Sequence, residues 1–271
     1  MRVHPSYLNC VFFVGFMNKK DEIKFVGTAF LIARENRAHQ YLVTANHVIA
    51  GIKTNSKDGK VLLRVNGRNN SIETFETHSV DWLASKTDST IDVSVYPWHL
   101  KHHAQIDYML IPESILIRDG MKPEPDVNIG DDVFLTGLFV SHLGQKRNVP
   151  VIRMGTISMM PGEPVSTKCY GDIEAYLVEL HSTGGLSGSP VFVRGALPLP
   201  ENTFMLGLIH GHWDSSKNSA QDINVSDQFG EQINMGMAIV VPSSKILTVV
   251  NENAVELGLI SNEPVVLTEE I

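Results

Sequence analysis

The chain has 271 residues, of which 43% are hydrophobic and 19% are charged, and its formal net charge is −8. This ordinary composition excludes collagen-like, coiled-coil and disordered proteins, and the acidic balance argues against a protein that coats nucleic acid or an anionic membrane. The two cysteines, Cys10 and Cys169, lie far apart in sequence, which argues against a disulfide-stapled fold and a cysteine-rich zinc site.

The first apolar run of the chain, Cys10–Phe16, does not fit a signal peptide. It is short, contains Gly15 and is followed by the polar residues 18–21, whereas a signal peptide has an apolar region of about 7–15 residues and a small-residue cleavage site. No apolar run approaches the roughly 18 residues that span a bilayer. We therefore expect a first β-strand here and a cytoplasmic protein without a membrane partner.

Short apolar runs separated by Gly, Pro, Asn, Asp or Ser predict β-strands along the whole chain, a pattern typical of a β-sandwich or barrel. In chain order the predicted strands are Cys10–Phe16, Phe25–Ala33, Gln40–Thr44, Lys60–Val65, Asp92–Pro97, Asp132–Leu138, Val151–Ser158, Ala175–Leu180, Pro190–Val193, Met205–His210 and Met235–Val241. One helix is predicted near the C-terminus. Ser243 or Ser244 is its expected cap, and its apolar face contains Ile246, Leu247, Val249, Val250 and Ala254.

Three segments contain the residue types that acyl transfer by a serine requires. His47 follows a β-rich run in YLVTANHV, Asp92 begins the run DVSV, and Ser187 lies in the glycine-rich turn GGLSGSP. A serine hydroxyl needs a general base, a carboxylate that orients the base, and backbone N–H groups that stabilise the oxyanion. The N–H groups of Gly185 and Ser187 are the candidates for the last role, because glycine permits the positive φ angles of such a turn.

Each of these residues also has a structural interpretation. His47 would be a histidine beside a strand, Asp92 a capping residue at a strand start, and Ser187 an ordinary turn serine. Other aspartates compete for the carboxylate role, although none begins as clear an apolar run as Asp92: they are Asp81, Asp88 and Asp107. His210 and His212 lie two residues apart on a predicted strand and could share a zinc ion, but the spacing places no third ligand.

Order, spacing and context together resemble the trypsin/chymotrypsin-like serine peptidases. The order is His47, Asp92, Ser187, with intervals of 45 and 95 residues. The segments GTAFLIARE, YLVTANHV, DVSV, GLSGSP and LGLIHG are similar to the family's motifs, and MGMAIVVPSSKI is similar to the strand–Pro–helix segment of HtrA-type bacterial peptidases. The resemblance covers about residues 8–255 and leaves no segment long enough for a PDZ domain.

The resemblance implies an all-β fold of two antiparallel six-stranded β-barrels with a C-terminal helix. The first barrel, residues 1–98, would carry the histidine and the aspartate. Residues 99–126 would link it to the second barrel, residues 127–271, which would carry the serine, the helix and the C-terminal tail.

The resemblance also implies a trypsin-like serine endopeptidase that cleaves polypeptides through an acyl-enzyme, without a metal or organic cofactor and without a nucleic-acid partner. His47, Asp92 and Ser187 would form the catalytic triad, with the N–H groups of Gly185 and Ser187 as the oxyanion hole. Residues implied to bind substrate are His181, Thr183, His210 and Gly211. Oligomeric state is not predicted.

One position departs from the family pattern. Leu186 precedes the serine, where the family commonly has an acidic residue or asparagine, and the N-terminus lacks the small apolar sequence that zymogen cleavage exposes. The turn must therefore be held in some other way or be ordered by substrate. Two alternatives remain open: a catalytically silent protease-fold module that binds a peptide or protein, and an acyl hydrolase that acts on esters.

Overall fold

Two β-sheets and two short helices account for most of the described chain. The computed structural model describes residues 2–34, 39–99, 104–121, 125–140, 142–167, 169–180, 185–195, 203–214 and 234–259. In chain order the elements are β1 (Val11–Met17), β2 (Ile23–Ala33), β3 (Gln40–Thr44), α1 (Asn46–Asn55), β4 (Lys60–Asn66), β5 (Ile72–His78), β6 (Ser94–Trp98), β7 (Ile111–Pro112), β8 (Asp132–Gly137), β9 (Val151–Met159), β10 (Val165–Thr167), β11 (Gly171–Ile173), β12 (Tyr176–Glu179), β13 (Pro190–Arg194), β14 (Thr203–Asp214), β15 (Asn234–Pro242) and α2 (Ser243–Glu252).

The first sheet is formed by the N-terminal half of the chain. Its strands follow the order β5-β4-β1-β2-β3-β6, and the short β7 adds in parallel beside β2. In the centre of the sheet, β1 and β3 are nearly continuous apolar runs and are buried on both faces. That double burial explains why these strands lack the polar–apolar alternation of a half-exposed strand.

The second sheet closes into a six-stranded barrel in the order β12-β15-β14-β13-β8-β9. A separate hairpin, β10–β11, lies outside it. The predicted all-β fold with a C-terminal helix is thus confirmed, and the second barrel has the expected six strands. The first half differs in detail, because across the described residues its six-strand path does not close and a short parallel strand is added to it.

The helices show where local sequence patterns fail. α1 was not predicted, because its N-cap residue, Ala45, offers no side-chain hydrogen bond and its first turn has no acidic residue. α2 is present, but the predicted serine cap is wrong. The N-cap is Pro242, and the Ser243 hydroxyl instead donates to the carbonyl oxygen of Ile117 at 2.8 Å. No helix within the described ranges is both long enough and apolar enough to cross a membrane.

A shared apolar core joins the two sheets. One buried cluster contains residues of the first sheet, such as Phe12 and Phe30, together with Phe134 and Phe192 of the barrel. The Tyr7 ring packs edge-on against Phe134 and Phe192, with centroids 4.9 and 4.8 Å apart. Burial of this apolar surface stabilises the contact between the halves.

A carboxylate fastens the end of α2 to the loop before β6. Glu252 accepts hydrogen bonds from the Ser85 hydroxyl (2.8 Å), the Lys86 backbone N–H (2.7 Å) and the Thr87 hydroxyl (2.5 Å). Partial burial acts to raise the pKa of Glu252, but these hydrogen bonds outweigh it and lower that pKa from its ordinary value.

Replacing Glu252 by glutamine is expected to lower the free energy of unfolding by less than about 1 kcal/mol at neutral pH, since the carboxylate is only partly buried and solvent screens its interactions. Because its pKa is lowered by folding, the ionised form stabilises the fold above the ordinary carboxyl pKa of about 4.3. This contribution is lost as the pH falls through the folded-state value. The difference between wild type and variant should therefore shrink on acidification, as measured by urea denaturation.

Glu163 is a matched control because it lies exposed in a turn, and its replacement by glutamine should leave the denaturation midpoint unchanged. A Glu252 effect that grows as the pH falls would contradict this account.

Candidate active site

Two of the predicted catalytic residues meet at the start of α1. His47 lies in the first turn of this helix, directly after β3, and Asp92 lies in the loop before β6. The His47 backbone N–H donates to Asp92 Oδ1 at 2.8 Å, and His47 Nδ1 lies 2.7 Å from Asp92 Oδ2. Since a carboxylate only accepts hydrogen bonds, Nδ1 carries the hydrogen and Nε2 is left to act as a base.

A second imidazole contacts the same carboxylate. His210, near the end of the LGLIHG segment in β14, places Nδ1 2.5 Å from Asp92 Oδ2. The His47 and His210 rings meet edge to face, with an interplanar angle of 71° and centroids 5.3 Å apart. The sequence had assigned His210 to substrate binding, and this additional contact of its side chain was not predicted.

Asp92 is a fully buried anion with several donors around it. Burial acts to raise the pKa of Asp92, but hydrogen bonds and electrostatic attraction from His210 and His47 hold that pKa below its usual range. Burial, followed by the charge of nearby Asp92, raises the pKa of the Tyr170 hydroxyl. Asp92 is therefore an acceptor and Tyr170 a donor at neutral pH.

The glycine-rich turn around Ser187 is held in a defined conformation. The Ser187 hydroxyl donates to the backbone carbonyl of His210 at 3.3 Å, and the described residues show no hydrogen bond between Ser187 and His47. Gly188 has a φ of +82°, and a Cβ there would lie 2.2 Å from the Thr28 carbonyl oxygen and 2.4 Å from Thr44 Oγ1. Both its backbone angle and this close approach therefore require glycine.

Thr28 of β2 is the main support of that turn. Its N–H donates to the Ser187 carbonyl at 2.9 Å. Its hydroxyl donates to the Gly185 carbonyl at 3.0 Å and accepts from the Leu138 N–H at 2.9 Å. The first sheet thus holds both sides of the turn, whereas Leu186 is buried in the apolar core of the barrel.

The N–H groups of Gly185 and Ser187, the predicted oxyanion-hole donors, lie in this turn. Gly185 has a φ of +94°, and within the described part of the chain neither N–H donates a hydrogen bond. Hydrogen bonds from Thr28 thus hold the serine turn, although Leu186 takes the place of the acidic residue or asparagine that the family commonly has before the serine.

The predicted substrate-binding residues are only partly described. His181 and Thr183 lie outside the described residues. Gly211 lies in β14 opposite Ile239 of β15, beside a register shift between Ile209 and Gly211.

Sequence reasoning missed the roles of Thr28 and Tyr170. Thr28 lies in the GTAF segment, which was used only as a family-like motif, and its partner Gly185 is 157 residues away. Tyr170 lies between β10 and β11, two short strands that were not predicted. No local pattern in the sequence links either residue to the site.

Comparisons with known proteins show the fold. No protein-family profile matches the sequence, and no curated protein sequence matches it. The crystal structure of Deg5 aligns with a TM-score of 0.53 and 13% identity over 92% of this chain and 91% of that chain. The crystal structure of AL20, a thermostable serine protease from an extremophilic microorganism, aligns with a TM-score of 0.53 and 11% identity over 93% of this chain and all of that chain. At such identities the likeness shows architecture alone, and the chain has the trypsin-like peptidase fold.

Proposed function

We propose that the chain is a serine endopeptidase that cleaves polypeptides through an acyl-enzyme. The observation that carries this proposal is the pair of hydrogen bonds by which buried Asp92 orients His47. The turn that presents Ser187 is joined to the same group of residues through His210. A serine, an oriented imidazole and a buried carboxylate are the parts that this reaction needs.

In the proposed mechanism, Ser187 Oγ attacks the substrate carbonyl carbon and His47 Nε2 accepts the hydroxyl proton. The N–H groups of Gly185 and Ser187 stabilise the oxyanion of the tetrahedral intermediate. His47 then gives the proton to the leaving amine, and water, activated by His47, hydrolyses the acyl-enzyme. Asp92 keeps His47 in the reactive tautomer and stabilises the imidazolium.

The Ser187 hydroxyl must change its hydrogen bond before it reacts. It donates to the His210 carbonyl in this structure, so attack requires a rotation about the Cα–Cβ bond that turns Oγ toward His47. Catalytic hydrogen bonds often form only when substrate binds.

The proposed reaction also defines the cofactor requirement and the substrate class, and the free cysteines suggest a cellular location. The reaction needs no cofactor, and a polypeptide is the substrate class. We place the protein in the cytoplasm because its two cysteines, buried Cys10 and exposed Cys169, are free thiols. Free thiols are typical of proteins in a reducing compartment.

A fluorophosphonate probe tests the proposal, because it reacts covalently with an activated serine. Wild-type protein should be labelled, while the folded variant Ser187→Ala should take up no label. Ser189 neighbours the nucleophile turn but is fully buried, so labelling of a Ser189→Ala variant is the matched control and should persist. Absence of label on folded wild type would overturn the enzymatic assignment.

One observation favours a second candidate, a silent module that binds a peptide or protein. The Ser187 hydroxyl is bonded to the His210 carbonyl, as expected of a site that does not react. The same probe separates the two candidates. Labelled protein that hydrolyses esters but cleaves no member of a peptide library would instead be an acyl hydrolase.

A further inference from the structure

The second imidazole at Asp92 gives this site a donor set that a His–Asp pair lacks. His47, Asp92 and His210 each offer one ligand atom, and these three atoms lie within 4.8 Å of one another. They come from α1, from the loop before β6 and from β14, so the fold brings Asp92 together with His210, which lies 118 positions further along the chain.

Two imidazoles and a carboxylate form a ligand set that suits divalent cations intermediate between hard and soft, which accept both nitrogen and oxygen ligands. Zn²⁺ takes histidine nitrogen and aspartate oxygen in a tetrahedral arrangement, and three protein ligands leave its fourth position for water. Asp92 supplies the anionic ligand, since it is held ionised. The sequence-level alternative, His210 with His212, lacked a third ligand, and the structure supplies other partners for His210.

We propose that His47, Asp92 and His210 bind a Zn²⁺ ion, and that this ion replaces the hydrogen bonds that orient His47. The ion is an inhibitor in this proposal and takes no part in the reaction. Binding itself is independent of the proposed function, and only the inhibitory consequence rests on it.

Small movements are enough to admit the ion. With zinc–ligand distances of about 2.0–2.1 Å, tetrahedral geometry separates neighbouring ligand atoms by about 3.3 Å. The present separations from Asp92 Oδ2 are 2.7 Å to His47 Nδ1 and 2.5 Å to His210 Nδ1. Each imidazole would therefore move away from the carboxylate by less than about 1 Å, and the two histidine ligand atoms, which lie within 4.8 Å of each other, would approach by at most about 1.5 Å.

A zinc ion can reach these three ligands from solvent, and its binding requires no net release of protons. The side chains of His47 and His210 are 28% and 11% exposed, while Asp92 is 0% exposed, so an ion enters from the imidazole side. Each neutral imidazole releases its Nδ1 proton and gains one at Nε2 through solvent. Two nitrogen lone pairs and one carboxylate oxygen then face the metal with no net release of protons.

Zinc binding should be measured by calorimetry on Ser187→Ala protein, with zinc chloride as the only ligand. This background removes the proposed nucleophile, so the result does not depend on turnover. One ion per chain should bind. Adding His47→Asn or His210→Asn should weaken binding at least about tenfold, because each removes one of three ligands. Asparagine retains an N–H that can still donate to Asp92, which favours a folded variant.

His212→Asn is the matched control, since it makes the same change two residues away on the same strand and should leave affinity within about twofold. Loss of binding in His212→Asn together with unchanged binding in His47→Asn would overturn the proposal in favour of a strand pair. Absence of saturable binding to the Ser187→Ala protein would also overturn it.

The inhibitory part is tested on wild-type protein that takes up the fluorophosphonate probe. Zinc should block labelling and a chelator should restore it. The His210→Asn variant, measured relative to its own labelling rate without zinc, should be inhibited far less. Binding to the Ser187→Ala protein without any labelling of wild type would support the metal site and refute the peptidase. Labelling that persists at saturating zinc would refute the inhibitory role.

Discussion

Replacing Asp92 by asparagine is expected to lower kcat for peptide hydrolysis by about 10⁴-fold, the size of effect seen when this role is removed in serine peptidases. The amide can donate to His47 Nδ1, which places the imidazole hydrogen on Nε2 and removes the base that Ser187 needs. Here the change also affects His210, which shares the same carboxylate oxygen. The rate of fluorophosphonate labelling provides a second measurement.

Asp88 is the matched control for this prediction. It is another aspartate of the same loop, and its Oδ1 accepts hydrogen bonds from the backbone N–H and hydroxyl of Thr90. Asp88→Asn should change kcat by less than about threefold. Equal losses in the two variants, or an Asp92→Asn variant that keeps a tenth of the wild-type rate, would contradict the assignment.

Replacing Thr28 by valine is expected to lower the free energy of unfolding by about 2–4 kcal/mol, because two buried polar groups lose their partners. These groups are the Gly185 carbonyl and the Leu138 N–H, and Thr28 itself is fully buried. Since the hydroxyl holds the turn that presents Ser187, the probe-labelling rate should also fall. Urea denaturation measures the first effect.

Thr28→Ser separates the hydroxyl from the shape of the side chain. Serine keeps both hydrogen bonds and loses one methyl group, so it should cost only about 1 kcal/mol and retain labelling. A serine variant as impaired as the valine variant would show that packing, and not the hydroxyl, supports the turn.

The sequence predicted the parts of the site that have local patterns. His47 follows a buried strand, Asp92 opens an apolar run, and Ser187 lies among glycines, so each could be recognised within about ten residues. The structure brings His47 and Asp92 into contact. The roles of all three in catalysis remain the prediction that the experiments above test.

Local sequence patterns do not predict contacts between distant segments of the chain. Thr28 and Gly185 are 157 residues apart, and Asp92 and His210 are 118 apart, so only the assembled fold shows that they meet. The same limit applied to α1, which lacks a capping side chain and depends on burial of Val48, Ile49 and Ile52 for its helical state.

The support of the serine turn by β2 has a consequence for protein synthesis. A ribosome releases the N-terminal half first, so Thr28 is available long before Gly185 and Ser187 emerge. The carbonyl that accepts from the Ser187 hydroxyl lies a further 23 residues along the chain. The hydrogen bonds of the serine turn and of Asp92 are therefore incomplete until β14 has left the ribosome, so translation order itself delays assembly of the proposed site.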